Sequence, residues 1–306
     1  MQKRNTDAAQ TQGWPMFDWD DARVFAEAAR SGALGRASTK LGMDAATVGR
    51  RVARLETALK ATLVVRDRSG LRLTAAGSQF LKSIEMAERA LSDGEQALRP
   101  DTLGGTVRIS ASEGFGTAIL APALPDLLKE GRGLRIELAA NSGFLSPTRR
   151  EVDLAITLSQ PEASRLVSEP LTDYQLALYA APSYLKAHGT PAAIDDLNRH
   201  IITGYVEDLI YAPELNYLDE ISSGLHAQLA SSSIRAQQEI VASGGAIGVL
   251  PCFMSGGLTR ILPGVVLQRR FWLSIHRDLA DTARIRTVTR WIRALCEDQH
   301  YRLNPI

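Results

Sequence analysis

The residues of this chain that could do chemistry are mostly cations, and they are concentrated in one segment. Between positions 30 and 74 there are ten Lys and Arg residues against three Asp and Glu residues, whereas the whole chain of 306 residues carries a formal charge of +1. A nearly neutral protein with one cationic segment is suited to an anionic partner, and nucleic acid is the first candidate. The candidate DNA contacts are Thr47, Arg50, Arg51, Arg54, Arg66, Arg68 and Arg72.

A helix must position the first four of these side chains. Four apolar residues recur at helical spacing and predict one buried stripe. They are Val48, Val52, Leu55 and Leu59. At 3.6 residues per turn, Thr47, Arg50 and Arg54 point to the opposite side, and Arg51 falls on the flank. A shorter helix that ends at Gly42 precedes this one, so the pair predicts a helix-turn-helix.

A β-hairpin must position the other three arginines. Two short β-rich runs, 63–66 and 71–74, flank a turn at Ser69-Gly70. Arg66, Arg68 and Arg72 on such a wing suit a phosphate backbone or a minor groove. A helix-turn-helix followed by a basic wing is much more specific for DNA binding than either part alone.

The segment after the wing predicts a long helix with a face for self-association. From Thr74 to Arg99 apolar residues alternate at spacings of four and three, which is a short heptad seam. The predicted dimerisation residues are Phe80, Ile84, Ala87, Leu91 and Leu98. Pairing two copies makes physical sense because two recognition helices roughly 34 Å apart read a palindrome. The sequence therefore predicts a homodimer or homotetramer.

From residue 106 onward, strands alternate with helices, which predicts an α/β domain with a mainly parallel sheet. Open parallel sheets bind ligands at the carboxyl ends of their strands, close to helix N-termini. The candidate effector-binding residues at these ends are Ser112, Phe115, Thr117, Asn141, Ser142, Thr203 and Phe253. Hydroxyls, an amide and aromatic rings suit a small anionic or polar metabolite.

Composition and motifs exclude several other classes. Cys252 and Cys296 are the only cysteines and have no C-x-x-C spacing, which argues against a disulfide framework and a zinc site. Residues 1–16 are polar and predict a disordered tail without a signal peptide, and no apolar run reaches membrane-spanning length, so we expect a cytoplasmic protein. There is no G-x-S-x-G, H-E-x-x-H or P-loop motif, and we expect no enzyme, metal or cofactor. Glu113 is interpreted as surface charge or a helix cap, and Cys252 as a redox sensor or, more often, an inert thiol.

The chain resembles the LysR-type transcriptional regulators over nearly its whole length after the tail. The matching stretches are Asp18–Asp21, Gly32–Leu34, Arg50–Glu56, Gly70–Gly77, Gly105–Ser110, Glu113–Gly116, Leu134–Leu138, Asp153–Ile156 and Val241–Pro251. The recognition helix departs from the family, because Asp44-Ala45-Ala46 and Gly49 replace polar residues that are usual there. Lys60 and Val64 also stand where Gly and Phe are common.

The resemblance implies a multidomain α/β chain. It predicts a winged helix-turn-helix at 17–74, a linker helix at 75–99, a hinge at 100–105 and an effector-binding domain at 106–306. That domain is similar to a two-lobed periplasmic binding protein, with lobe I at about 106–167 and 273–306 and lobe II at about 168–272. The chain would cross between the lobes near Ser168 and near Phe271-Trp272.

The expected function is sequence-specific, DNA-binding transcription regulation in response to a small molecule held between the lobes. The resemblance implies a palindromic double-stranded operator and the effector as partners, allows RNA polymerase as a further one, and gives Ser112 the role of holding a carboxylate or similar acceptor. The alternative is a solute-binding or enzymatic α/β protein whose N-terminal helices form an assembly module.

Overall fold

The computed structural model describes residues 17–67, 70–97, 104–131, 133–140, 152–161 and 165–305. Several predicted features lie outside this part of the chain: the tail at 1–16, and the residues Arg68, Leu98, Asn141 and Ser142. For Arg66 only the backbone is described. The chain divides into two compact units, and the division falls between Glu95 and Gln96.

The N-terminal unit is a helix-turn-helix followed by a two-stranded wing. Its elements are α1 (Trp19–Ser31), α2 (Leu34–Leu41), α3 (Ala45–Leu59), β1 (Val64–Asp67), β2 (Gly70–Leu73) and α4 (Ala75–Ala97). Gly42 takes the left-handed conformation (φ +64°) that ends α2, and Asp44 caps α3. Lys60 ends α3 with φ +53°, a conformation that favours glycine, which accounts for glycine being common at this position in the family.

The core of the N-terminal unit includes the first half of α4. Val48, Val52 and Leu55 of α3 are buried against α1, as their spacing predicts. Ile84 of α4 belongs to the same core and is only 2% exposed. Phe80 packs edge-on against Phe17, with ring centroids 5.4 Å apart.

The predicted dimer seam is therefore wrong at one of its positions. Ile84 packs inside its own unit and is not available to a second copy, whereas Phe80 packs on the same core but is only half-buried and stays a prediction. The heptad pattern misled here because a helix that docks on a small core repeats its apolar residues at the same spacing as a helix that pairs. Leu91, which is 65% exposed, and the half-buried Ala87 stay predictions for self-association.

Gly77, in the first turn of α4, lies against the wing. A Cβ atom at this position would be 1.9 Å from the backbone oxygen of Leu63. The same oxygen accepts a hydrogen bond from the backbone N–H of Thr74 at 3.0 Å. The Thr74 hydroxyl accepts one from the N–H of Gly77 at 2.9 Å. The backbone at the start of α4 thus packs directly against the backbone of the wing, a contact that only glycine permits.

The variant Gly77→Ala is expected to destabilise the N-terminal unit by about 1–3 kcal/mol, because the added methyl group forces α4 away from β1. The matched control is Gly94→Ala in the same helix, where an added Cβ meets no atom within 4 Å. There the better helix propensity of alanine should stabilise by up to about 1 kcal/mol. Urea unfolding followed by circular dichroism separates the two variants, and equal stability would disprove the close approach.

The C-terminal unit contains the large sheet. Its strands are β3 (Gly105–Ala111), β4 (Leu134–Ala140), β5 (Leu154–Thr157), β6 (Leu166–Ala180), β7 (Ile202–Gly204), β8 (Leu229–Ala230), β9 (Ile247–Pro251) and β10 (Thr259–His276). Its helices are α5 (Glu113–Phe115), α6 (Ala121–Glu130), α7 (Pro182–His188), α8 (Leu218–Ile221), α9 (Ile234–Ala242), α10 (Ala283–Asp298) and α11 (His300–Leu303). A π-helical turn, Gly116–Leu120, joins α5 to α6. The strand order is β4-β3-β5-β10-β6-β9-β7-β8.

Two long antiparallel strands, β6 and β10, lie between two groups of strands that correspond to the predicted lobes and take their names. Lobe I contains β3, β4 and β5, and lobe II contains β7, β8 and β9. Strand β10 pairs with β5 over Trp272–Ile275, while β6 pairs with β9 over Leu176–Tyr179. The β6–β10 register shifts between Phe271 and Trp272, next to the second predicted crossing.

The sheet is mixed, and the prediction of a mainly parallel sheet is corrected. The chain enters lobe II on β6 and returns on β10 beside it, so these neighbours must run in opposite directions. Parallel pairing is confined to β3 with its neighbours and to β7 with its neighbours. Among the helices described, none combines the length and apolarity that a membrane crossing requires.

Candidate functional site

The exposed N-terminal half of α3 carries a chain of polar contacts. Asp44 accepts a hydrogen bond from the backbone N–H of Thr47 at 2.8 Å and another from its hydroxyl at 2.6 Å. These bonds lower the pKa of Asp44, so its carboxylate is held as the helix cap. Arg50 donates to the Thr47 hydroxyl at 2.7 Å. Arg50 is exposed, and Ala46 beside it leaves space for a groove to approach.

Arg51 and Arg54 are instead ion-paired with the first turn of α1. Arg54 makes a two-pronged contact with Asp21, including one bond of 2.6 Å, and its Nη2 lies 3.3 Å from Asp18. Arg51 contacts Asp20 and lies 3.6 Å from Asp21. Asp21 is only 1% exposed, so its carboxylate requires these partners.

This arrangement corrects the prediction that Arg54 projects into a major groove. Its guanidinium is engaged by α1, although the side chain is 60% exposed. The pairing joins residues more than 30 positions apart, which helical periodicity does not reveal. The available signal in the sequence was the acidic run Asp18-Trp19-Asp20-Asp21, which precedes the cationic segment.

The wing presents Arg72 on its outer face. Arg72 is exposed and lies opposite Val65 in the antiparallel register, while Leu71 and Leu73 pack on the core, as predicted. Glu56 of α3 accepts hydrogen bonds from the N–H groups of Leu63 at 2.7 Å and Val64 at 3.1 Å. These bonds fix the base of the wing to the recognition helix.

In the C-terminal unit a narrow cavity of about 30 Å³ lies between the lobes, close to the carboxyl end of β3. Three of the predicted effector residues line it: Ser112, Phe115 and Phe253. Ser112 is 5% exposed, and its hydroxyl has no hydrogen-bond partner among the described residues. Sites for small ligands usually have volumes of about 300–1,000 Å³, so a metabolite requires the lobes to separate.

Two other predicted effector residues do not line this cavity. Thr117 is exposed and its hydroxyl donates to the backbone oxygen of Glu113 at 2.7 Å, a contact within the helix. Thr203 is completely buried in β7 and is absent from the lining. Both lie near strand or helix ends, but only a side chain that faces the opposite lobe reaches the cavity.

Sequence reasoning missed the two carboxylates that bridge the lobes at this cavity. Glu113 of lobe I accepts hydrogen bonds from the Ser233 hydroxyl at 2.7 Å and from the Ile234 N–H at 3.0 Å, at the start of α9 in lobe II. Glu214 of lobe II accepts from the Ser159 hydroxyl of lobe I at 2.6 Å. Glu113 is therefore a helix cap, but for a helix more than a hundred residues away.

Four tyrosines complete the cavity wall, and they too were missed. Burial raises the pKa of Tyr211 to about 12 and raises those of Tyr174, Tyr205 and Tyr217 as well. All four phenols are therefore neutral near pH 7. Their rings, together with Phe115, Phe253 and Phe271, make the cavity aromatic.

The thiols and potential metal ligands do not form a second site. Cys252 and Cys296 are buried, and burial raises the pKa of both thiols, to about 12 for Cys296. A raised pKa disfavours the reactive thiolate, which argues against Cys252 as a redox sensor. The described residues contain no cluster of His, Cys, Asp and Glu suited to a metal ion.

Comparison with known proteins identifies both units. The family model described as "Bacterial regulatory helix-turn-helix protein, lysR family" matches residues 19–78, and the LysR substrate binding domain matches residues 100–297. The HTH-type transcriptional activator TtdR of Escherichia coli (strain K12) is 26% identical over 300 residues, which cover 94% of this chain and 95% of TtdR. The Mau operon transcriptional activator of Paracoccus denitrificans is 28% identical over 289 residues, with 90% and 95% covered.

A solved structure agrees with this fold. CrgA, a LysR-type transcriptional regulator from Neisseria meningitidis, superposes with a TM-score of 0.56 at 23% identity, covering 90% of this chain and 98% of CrgA. The two family domains together account for most of the sequence, in the order that the structure shows. The chain therefore belongs to the LysR family of transcriptional regulators, with an N-terminal helix-turn-helix DNA-binding domain and a C-terminal effector-binding domain.

Proposed function

We propose that Arg50 is the main base-reading residue of this regulator, with Thr47 holding it in position. The observation that supports this proposal is that the three arginines of α3 have different partners. Arg50 is exposed and, among the described residues, donates to a neutral hydroxyl on its own helix at 2.7 Å, whereas Arg51 and Arg54 are engaged by aspartates of α1. Arg50 can give up its bond to the hydroxyl without leaving a buried carboxylate unpaired. Its guanidinium is therefore the one suited to bond a guanine edge.

Arg51 and Arg54 support this reading indirectly. Their ion pairs join α1 to α3 and so fix the orientation of α3, the recognition helix, relative to α1. Arg54 remains 60% exposed, so its outer edge can still lie along a phosphate while Asp21 holds the other. We therefore assign both to positioning and phosphate contact.

Arg66, Arg68 and Arg72 of the wing are proposed to follow the DNA backbone or enter the minor groove. The exposed face of β2 that carries Arg72 supports this assignment. Two copies of the chain, paired through the part of α4 that includes Leu91, would place two such heads on a palindromic operator in the cytoplasm. TtdR and the Mau operon protein are named activators, which supports RNA polymerase as a further partner.

The effector is proposed to act through the separation of the two lobes. The cavity is too small for a metabolite as it stands, and the bonds of Glu113 and Glu214 hold its two sides together. A ligand that enters must lengthen or replace these bonds, so it has different affinities for the closed and open forms. A coupling of about 1–3 kcal/mol between ligand and DNA is typical of such linkage.

DNA binding by the full chain to the region upstream of its own gene tests the proposal. Fluorescence anisotropy should show binding that weakens linearly, on logarithmic axes, as salt increases. The variant Arg72→Ala is expected to weaken binding to operator and scrambled duplexes equally and to lower the salt slope by about one unit, because one phosphate contact is lost. An unchanged salt slope would show that Arg72 does not contact a phosphate.

A further inference from the structure

We propose that the effector carries a cationic nitrogen group, an ammonium or guanidinium, that binds between Glu113 and Glu214. This inference rests on the proposed role of the interlobe cavity as the effector site. It differs from the sequence expectation of an anionic or polar metabolite, and it is carried by the charges and rings that the fold brings to the cavity wall.

The charge of the cavity is negative. Its described lining contains two carboxylates and no Lys, Arg or His. The hydrogen-bond partners of both carboxylates are neutral: the hydroxyls of Ser233 and Ser159 and a backbone N–H. Arg269 donates to the backbone oxygens of Glu214 at 3.3 Å and Gln268 at 3.0 Å, and its charge is paired with Glu220 at 2.5 Å.

Each of the two carboxylates has acceptor capacity left for a ligand. A carboxylate offers about four lone-pair positions, and Glu113 uses one on each oxygen. A cation placed between Glu113 and Glu214 would receive two charge-assisted bonds, which offset the lengthening of the bonds that join the lobes. An anion would have to expel Glu113 from the start of α9 and then face Glu214.

The aromatic wall favours the same class of ligand. Tyr174 and Phe271 are stacked with ring centroids 4.1 Å apart, and Tyr205 and Tyr217 meet edge to face at 5.9 Å. The faces of neutral aromatic rings attract cations, most strongly where water is excluded. Burial raises the pKa values of the phenols, so these rings add no further negative charge to the cavity wall.

A hydroxyl of the cavity lining, that of Ser112, offers a ligand a further polar contact. Ser112 is 5% exposed and its Oγ makes no hydrogen bond to any described residue. Buried hydroxyls in folded proteins almost always have a partner. The ligand therefore has a second polar group, which bonds Ser112 while its cationic end lies at the two glutamates, and a basic amino acid or an amino-guanidine has this form.

Thermal shift of the full chain with three probes at equal millimolar concentration tests the ligand class. The probes are agmatine, L-arginine and glutarate. Agmatine carries an ammonium and a guanidinium, L-arginine carries these two groups and a carboxylate, and glutarate carries only carboxylates. We expect agmatine or L-arginine to raise the melting temperature and glutarate to leave it unchanged. Titration calorimetry with the stabilising probe should then show at least a tenfold loss of affinity in Glu214→Gln, which removes one charge and keeps an acceptor for Ser159.

The matched control is Asp195→Asn, which removes an exposed carboxylate outside the cavity lining and should leave the affinity unchanged. The ligand class is overturned if glutarate alone stabilises, if neither cationic probe does, or if Glu214→Gln binds the cation as well as the native chain. DNA binding measured on the same samples keeps the two proposals apart. A cation that binds without changing DNA affinity would refute the effector role and leave the ligand class standing.

Discussion

The variant Arg50→Ala is expected to lose most of the preference for operator over scrambled DNA. If Arg50 bonds a guanine edge with two hydrogen bonds, its loss costs about 1–3 kcal/mol on the operator and little on other sequences. The stability of the N-terminal unit should not change, because Arg50 is exposed and its hydrogen bond among the described residues goes to a hydroxyl on its own helix. Competition anisotropy with the two duplexes measures the ratio directly.

The variant Arg54→Ala is the control for the loss of sequence preference in Arg50→Ala. Here the buried carboxylate of Asp21 loses its two-pronged partner, so the melting temperature of the N-terminal unit should fall. At a temperature where both variants are folded, Arg54→Ala should weaken operator and scrambled DNA alike. If Arg54→Ala erases sequence preference and Arg50→Ala does not, the roles assigned to the two arginines must be exchanged.

The variant Ile84→Asp is expected to unfold the N-terminal unit. Ile84 is 2% exposed, and truncating such a residue to alanine already costs roughly 2–5 kcal/mol. Aspartate adds the cost of burying a carboxylate for which the core offers no partner. Against a total stability of roughly 5–15 kcal/mol, this loss should abolish the cooperative unfolding transition of the unit and, with it, DNA binding.

Leu91→Asp, one heptad later on the same helix, is the matched control. Leu91 is 65% exposed, so the fold should lose no more than about 0.5 kcal/mol. If this part of α4 pairs two copies, light scattering should show a lower mass for Leu91→Asp at the same concentration. A folded Ile84→Asp protein would contradict the core assignment, and an unchanged mass for Leu91→Asp would remove it from the interface.

The contrast between Ile84 and Leu91 shows what the periodicity of a sequence cannot predict. Spacings of three and four identify the apolar face of a helix, but they do not say whether that face meets its own domain or a second copy. The face of α4 changes from buried at Ile84 to exposed at Leu91 because the core beneath it ends. The size of that core depends on the packing of three other helices.

Strand β10 is a second feature that sequence reasoning did not find. Thr259–His276 contains Pro263-Gly264, which reads as a break, and the only prediction placed there was the lobe crossing near Phe271-Trp272. In the structure the register shifts between Ile261 and Val266, so the irregular residues leave the ladder and the strand continues. A bulge of this kind is stabilised by the neighbouring strand β6, which local sequence does not describe.

The sequence by itself determined the winged helix-turn-helix, the concentration of positive charge on it, the α/β character of the second unit and the family. These features follow from local periodicity, caps and turns, which act between residues a few positions apart. The tertiary structure decided which arginines are engaged by Asp20 and Asp21, where α4 stops being core, and that Glu113 and Glu214 face one cavity. Those outcomes depend on contacts between residues 30 to 120 positions apart, whose formation is set by the packing of whole elements.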